Sequence, residues 1–505
     1  MLYVSIFVEL LRSRPALAVW ATALTQAALW IFVPALFYGA PPGDVPLVIA
    51  VGHEFQLGSV LGPPLASWLA EIAFDAAGKH VFGVYLLSQL CVVATYWAVF
   101  SLGRLILGAH HAAMAVLLMV GILALSMPTP AFGPAILAMP LWALVLLHYW
   151  RAIRERRLVY WIALAIETGL LLLTTYAGLL LAGLIVVFTV VNRRARPALW
   201  SIGPWAAIVI AAIVVSPHLF WLAHSADHGL PALPRISMPI SVIGIVGTWF
   251  KQIGLIVAAH AGLAVILGVE AGWPWTKREP APLILRRPAG LLAREFVYFF
   301  AVAPALTAIT VAVAIGSPRS LGEMAPLVIL SGAAVILTAG DKIELTRQRV
   351  LIAAWFALLL APPAIAIAAL LGLPWVGIAP GFDEPAPAMA RFFAESFQRR
   401  IGAPLRIVAG DPRTAALVAM GAPSRPSLFL DATPERSPWV GVSDVSAKGA
   451  IIVWPTTDTS GTPPPDIKAR FPDIVPELPQ GFERPVQGRL PLVRIGWALI
   501  RPEAR

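Results

Sequence analysis

Long apolar stretches, separated by short polar joints, dominate the chain. Four stretches carry no Asp, Glu, Lys or Arg at all: 105–150, 197–226, 296–318 and 350–382. A bilayer core about 30 Å thick takes about 20 mostly apolar residues per helical crossing. The pattern predicts eleven transmembrane helices, near 15–38, 81–103, 107–127, 133–150, 158–174, 176–192, 198–222, 252–271, 296–316, 322–340 and 350–372. The first run is long enough to span and shows no clear small-residue cleavage site, so it reads as a membrane helix and not a cleaved leader. Between the first two spans, 45–57 and 63–77 have the length and composition of short helices lying along the membrane surface. Pro63 and Pro64 suit a helix start, where a missing N–H costs little. Residues 238–251 read as a further surface helix.

From Ile378 the pattern changes. Charged residues appear regularly, and short β-type runs ("PLRIVAG", "SLFLD", "AIIVWP", "VRIGWALI") alternate with helical ones such as "DPRTAALVAMGAP". Strands alternating with helices predict a small α/β unit. The expected division is an all-α membrane domain over 1–377 and an α/β domain over 378–505.

Composition agrees with the pattern: 59% of residues are hydrophobic and 13% charged. The single Cys91 excludes an intramolecular disulfide. A net charge of +10 raises nucleic acid as a partner, but the positions of the charges exclude it. With the N-terminus inside, inside loops hold 18 Lys and Arg and outside loops hold 4. That asymmetry is the positive-inside rule. The odd span count then puts both the C-terminal region and Asp44 outside.

Chemistry concentrates in the first outside loop, "GDVPLVIAVGHEFQLGSVLGPPLASWL" (43–69). A lone aspartate at a helix boundary is ordinarily solvated or a cap. Here Asp44 is followed by Gly58 and then by Pro63, Pro64, Leu65, Trp68 and Leu69 in "PPLASWL". Further on stand "LLLTTYAGLLL" (171–181) and "SPHLFW" (216–221). These features resemble glycosyltransferase family 39, membrane enzymes of the GT-C class that include dolichyl-phosphate-mannose protein mannosyltransferases and aminoarabinose transferases.

The resemblance implies a bacterial inner-membrane enzyme. It would take a sugar from a polyprenyl phosphate and pass it to an envelope acceptor at the periplasmic face, with the C-terminal domain in the periplasm. It implies no cofactor, and no metal is expected. Asp44 would be the general base that takes the acceptor's proton, and one base suffices for an inverting displacement. His53, Glu54, Pro63, Pro64, Trp68, His218, Trp221 and Arg235 would line the donor and acceptor sites. Val45, Leu61, Gly62, Tyr85, Gly133, Pro134 and Thr175 stand where relatives often carry charged groups. Two alternatives therefore stand beside the enzyme: a non-catalytic relative that scaffolds envelope assembly, and a lipid transporter. Two other features are open to function: Glu167, ionisable in mid-span, and "AGDPRTAA" (409–416), whose turn either holds an anion or simply caps a helix.

Overall fold

The structure, a computed structural model, describes residues 9–59, 61–127, 129–225, 242–273, 277, 283–314, 323–430 and 436–503. In chain order its first helices are α1 (Pro15–Phe37), α2 (Val45–Gly52), α3 (Leu65–Ala76), α4 (Phe82–Leu107) and α5 (Ala109–Met119). Then come α6 (Pro134–Glu155), α7 (Leu158–Leu172), α8 (Ala177–Val191), α9 (Ile202–Ser225), α10 (Val242–Ala259) and α11 (Ala261–Ala271). Strand β1 (Leu283–Leu285) and α12 (Leu291–Ala314) follow, then α13 (Ser331–Thr338), β2 (Lys342–Glu344) and α14 (Gln348–Gly372). Six of these helices are long and apolar enough to cross a membrane, or seven if the bent pair α10–α11 forms one span. Shorter apolar helices occupy the other predicted positions. The chain is thus a multi-pass membrane protein.

Burial orders the bundle. The apolar window of α6 is 78% buried, whereas those of α9 and α14 are 17% and 22% buried. α6 therefore forms the centre. Ile208, Val209 and Ile213 on α9 face outward, as lipid-facing side chains must.

Two predicted spans are broken. The third is interrupted after Met119, and α10 meets α11 at a 56° bend. The breaks touch: the Leu263 N–H donates to Gly121 O at 2.8 Å. Backbone groups freed inside a bilayer must find protein partners, and each break partly supplies the other's. At the bend, His260 bonds Ile256 O at 2.7 Å and Ser331 Oγ at 2.9 Å. The surface helix expected over 238–251 is corrected accordingly. Its first residues lie outside the described ones, and from Val242 the chain runs on as one helix to Ala259.

The C-terminal region contains α15 (Ala386–Ile401), β3 (Ile407–Gly410), α16 (Pro412–Gly421), β4 (Ser427–Leu430), β5 (Ala450–Pro455), β6 (Pro476–Phe482) and β7 (Val493–Ile500). The sheet order is β4-β3-β5-β7-β6, parallel through β4, β3 and β5 and antiparallel beyond. The predicted strands are present. β6 was not anticipated: Pro476, Pro479 and Gly481 argue against a strand, and its edge position with a bulge between Glu477 and Gln480 is where they are tolerated.

The first of the two expected surface helices is not one; the second, α3, buries one face and leaves Ile72 on the other exposed. In α2, Val45, Pro46, Val48, Ile49, Ala50, Val51 and Gly52 are all buried. The helix is enclosed between α3 and the C-terminal α16 and β4. Its uniformly apolar sequence suits burial on all sides better than a half-wet surface.

Close backbone approach fixes this packing. A Cβ on Gly52 would lie 2.1 Å from Ser67 O. Gly52→Ala is expected to destabilise the protein by about 1–3 kcal/mol through overpacking, seen as a lower thermal unfolding midpoint. Gly247→Ala, whose Cβ meets no atom within 4 Å, should leave the midpoint almost unchanged.

Candidate active site at the first loop

Asp44 occupies the N-cap position of α2, yet its side chain makes no capping bond. The residue is exposed. Among the described residues its carboxylate has no hydrogen-bonding or ionic partner. The loop that carries it is, by contrast, firmly held. The Gly39 and Ala40 N–H groups donate to Phe382 O at 3.0 and 3.2 Å, and Tyr38 stacks on Phe382 at 4.3 Å. Arg413 donates to Gly43 O at 2.6 Å and to Pro41 O at 3.3 Å, while its guanidinium binds Glu384 at 2.5 and 2.8 Å. A free carboxylate on a fixed loop is what a general base requires.

His53 and Glu54 stand at the other end of α2, about 12 Å away by helical rise. Both are half-buried. His53 Nδ1 lies 2.8 Å from Glu71 Oε1. Glu71, on α3, is fully buried and also accepts a bond from Arg425, just beyond α16. Arg425 lies over the Phe74 ring at 4.8 Å. Burial pushes the Glu71 carboxyl up, but the bonds from His53 and Arg425 outweigh it and hold it below 4.5. For Glu54 burial prevails and raises its carboxyl above 4.5, against the Ser427 hydroxyl, His53 and Arg425. Sequence reasoning did not single out Glu71 or Arg425. Nothing in "LAEIAFDAAG" separates Glu71 from an ordinary polar face.

His218 is buried and fully engaged. Nδ1 bonds Leu57 O at 2.7 Å and Nε2 lies 3.1 Å from the Tyr176 hydroxyl. Trp221 stacks on His218 at 5.7 Å, and a Cβ on Gly58 would meet the Trp221 ring at 2.4 Å. The Trp68 indole donates to Gln56 O at 2.9 Å. Pro63 and Pro64 are buried before α3, with Pro64 at its N-cap. These residues shape the loop from Gln56 to Gly58. Both ring nitrogens of His218 are therefore taken by protein groups. Arg235 lies outside the described residues. Glu167 pairs with His148 at 2.7 Å. In "AGDPRTAA", Asp411 caps α16 through Thr414 N at 2.9 Å, the ordinary-cap alternative. Among the described residues no cluster of three His, Cys, Asp or Glu could hold a metal.

A cavity of about 480 Å³ opens beside this loop, between the end of α1, the start of α4 and the C-terminal region. Tyr38, Lys79, His80, Tyr85, Arg391 and Arg425 line it, and Pro41 forms part of its wall. Lys79 is exposed and held at φ +63°, its N–H bonded to Phe74 O at 2.9 Å. Asp44 lies three residues beyond Pro41, hence within about 11 Å of that wall by chain length.

The crystal structure of ArnT from Cupriavidus metallidurans in the apo state aligns over 98% of this chain and 97% of that chain, at 16% identity and a TM-score of 0.56. Archaeal oligosaccharyltransferase AglB from Archaeoglobus fulgidus, in complex with an inhibitory peptide and a dolichol-phosphate, aligns over 87% and 69% at 14% identity, with a TM-score of 0.44. No curated protein matches the sequence. The fold is therefore that of ArnT, and the class the chain resembles is the GT-C membrane glycosyltransferases. Residues 62–221 match the family described as dolichyl-phosphate-mannose-protein mannosyltransferase, so within that class the chain resembles family 39. The matched segment holds Pro63, Pro64, Trp68, His218 and Trp221, and it begins after Asp44, His53 and Glu54.

Breaking a buried ion pair on one side costs about 3–5 kcal/mol. Arg425→Gln should lower stability by that order, and adding Glu71→Gln should recover part of the loss in a double-mutant cycle. Glu71 has a depressed folded value, so its stabilising contribution is complete above 4.5 and is lost as pH falls through that lower value. Chemical denaturation of the wild type and of Glu71→Gln across acidic pH checks the sign: the wild type's advantage should shrink on acidification.

Proposed function

We propose that this protein is a membrane glycosyltransferase that moves a sugar from a polyprenyl-phosphate donor to an envelope lipid, glycan or protein. The acceptor hydroxyl attacks the anomeric carbon as Asp44 takes its proton. The bond from that carbon to the phosphate oxygen breaks, and polyprenyl phosphate leaves with the electron pair. A single displacement inverts the anomeric centre. The observation that carries this reading is the Asp44 carboxylate, without a partner among the described residues, on a clamped loop beside a cationic cavity.

Lys79, His80 and Arg391 are suited to offset the charge that develops on the leaving phosphate. Tyr85 stands where relatives often carry an arginine. Arg391 and Arg425, supplied by the C-terminal region, bring positive charge to the same cavity. The proposed setting is a bacterial inner membrane crossed eleven times, with the division near residue 377 and the C-terminal α/β domain in the periplasm. Occupation of both His218 ring nitrogens, and of His53 Nδ1, by protein partners favours, as a second reading, a non-catalytic relative.

The test uses purified protein in lipid, polyprenyl-phosphate sugars and an envelope extract, with released polyprenyl phosphate followed by mass spectrometry. Asp44→Asn should lower turnover by about 10²–10⁴-fold while donor binding persists. Lys79→Ala should raise the KM for donor about tenfold with a smaller change in kcat. Equal release by wild type and Asp44→Asn would end Asp44's role as base. No release with any donor would favour the non-catalytic reading.

A further inference from the structure

At the far end of α4 lies a second polar cavity, of about 400 Å³. α4 has 26 residues, so about 39 Å of helix separates it from the cavity beside Asp44. His110, His111, Arg154, Arg286 and Arg287 line it. Ala109, Leu292 and Ala293, from the first turns of α5 and α12, complete the wall. Two helix N-termini thus turn unpaired N–H groups and positive dipole ends toward one space.

Two side chains make this more than a basic rim. The Arg286 side chain is 3% exposed. Its Nη2 pairs with Asp341 Oδ1 at 2.8 Å, but Nε and Nη1 have no hydrogen-bonding partner among the described residues. His111 is 1% exposed, and its Nε2 also lacks a partner there. A guanidinium brings five N–H donors, and leaving buried donors unpaired is costly. Asp341 is the acidic group set against Arg286, so three guanidinium groups outnumber one carboxylate. The missing partner is an anion with several acceptor oxygens.

The apolar surroundings identify its carrier. Leu105, Leu285 and Trp150 share the cavity wall. Leu105, Leu283, Leu285 and Leu291 are exposed around it, as groups in contact with acyl chains would be. We propose that this cavity binds a phosphate group presented by an anionic phospholipid of the adjacent leaflet. Arg286 and His111 donate to the phosphate oxygens from inside, and Arg154 and Arg287 from the mouth.

The full-length protein is delipidated in detergent and titrated with phosphatidylglycerol, phosphatidylcholine or inorganic phosphate. Native mass spectrometry counts retained lipid, and the unfolding midpoint is read in parallel. Wild type should retain phosphatidylglycerol in preference to phosphatidylcholine and gain thermal stability from it. Arg286→Gln and His111→Gln should each weaken that retention about tenfold or more. His111→Gln leaves the Arg286–Asp341 pair in place and carries the test if Arg286→Gln does not fold. Retention by His111→Gln equal to that of wild type would overturn the site. Inorganic phosphate that protects wild type as well as the lipid does, and competes with it, would overturn the lipid as carrier and leave a free-phosphate site.

Discussion

A carboxylate as deeply buried as Glu71 stays charged only where hydrogen-bond donors and a cation are brought to it. His53 arrives from the end of α2, and Arg425 from the turn after α16. That requirement joins three segments of the chain and fixes how the C-terminal region seats on the first loop. With α2 closed between α3 and α16, its apolar sequence has no wet face left. Arg413 then reaches the carbonyls of Pro41 and Gly43 from the same helix that precedes Arg425. The position of Asp44 therefore depends on an ion pair roughly the length of α2 away. Pairing of this kind contributes little net stability compared with apolar packing, and its value lies in specifying one arrangement.

The membrane part obeys a different constraint. Backbone groups in lipid must be satisfied by protein, and this bundle contains broken helices. It meets the rule by setting breaks against one another, at Gly121 with Leu263, and by turning the His260 side chain onto Ile256 O at the bend. Small residues permit the approach. Cβ atoms on Gly121 and Gly262 would each fall within 3.0 Å of the other break's backbone. Hydropathy reads such a segment as one span, because it averages over residues and does not register a backbone interruption.

Legibility followed the range of the interaction. Apolar runs and alternating strands are local, so the helices and four strands of the C-terminal sheet were readable. β6 was not, because its edge position, which excuses its prolines, is a tertiary fact. Asp44 could be singled out only through the spacing of Gly58, Pro63, Pro64 and Trp68 behind it. Glu71 and Arg425 could not, since 354 residues separate them and each alone resembles a solvated charge. His53 stood out in the sequence as a polar group in the first outside loop, and His218 as one in the "SPHLFW" segment at a span end. What they bond to was invisible, and that contact decides between ligand and scaffold.

Charge shows most clearly how one sequence signal carries two meanings. Counting Lys and Arg by loop gives topology, and in that count Lys79 is merely one of four exceptions. Topology explains where most cations lie and leaves open what each one does. Lys79 stands in a left-handed turn, exposed, with Arg391 and Arg425 across the same cavity. An exposed cation at a strained backbone position, converging with two others from a different segment, is an arrangement that orientation in the membrane does not require. Arg286 shows the converse at the other end: by position it belongs to the positive-inside majority, yet its buried Nε and Nη1, without partners among the described residues, exceed what orientation needs. Convergence in the first place and burial in the second, and not the number of charges, mark out cations whose arrangement topology does not explain.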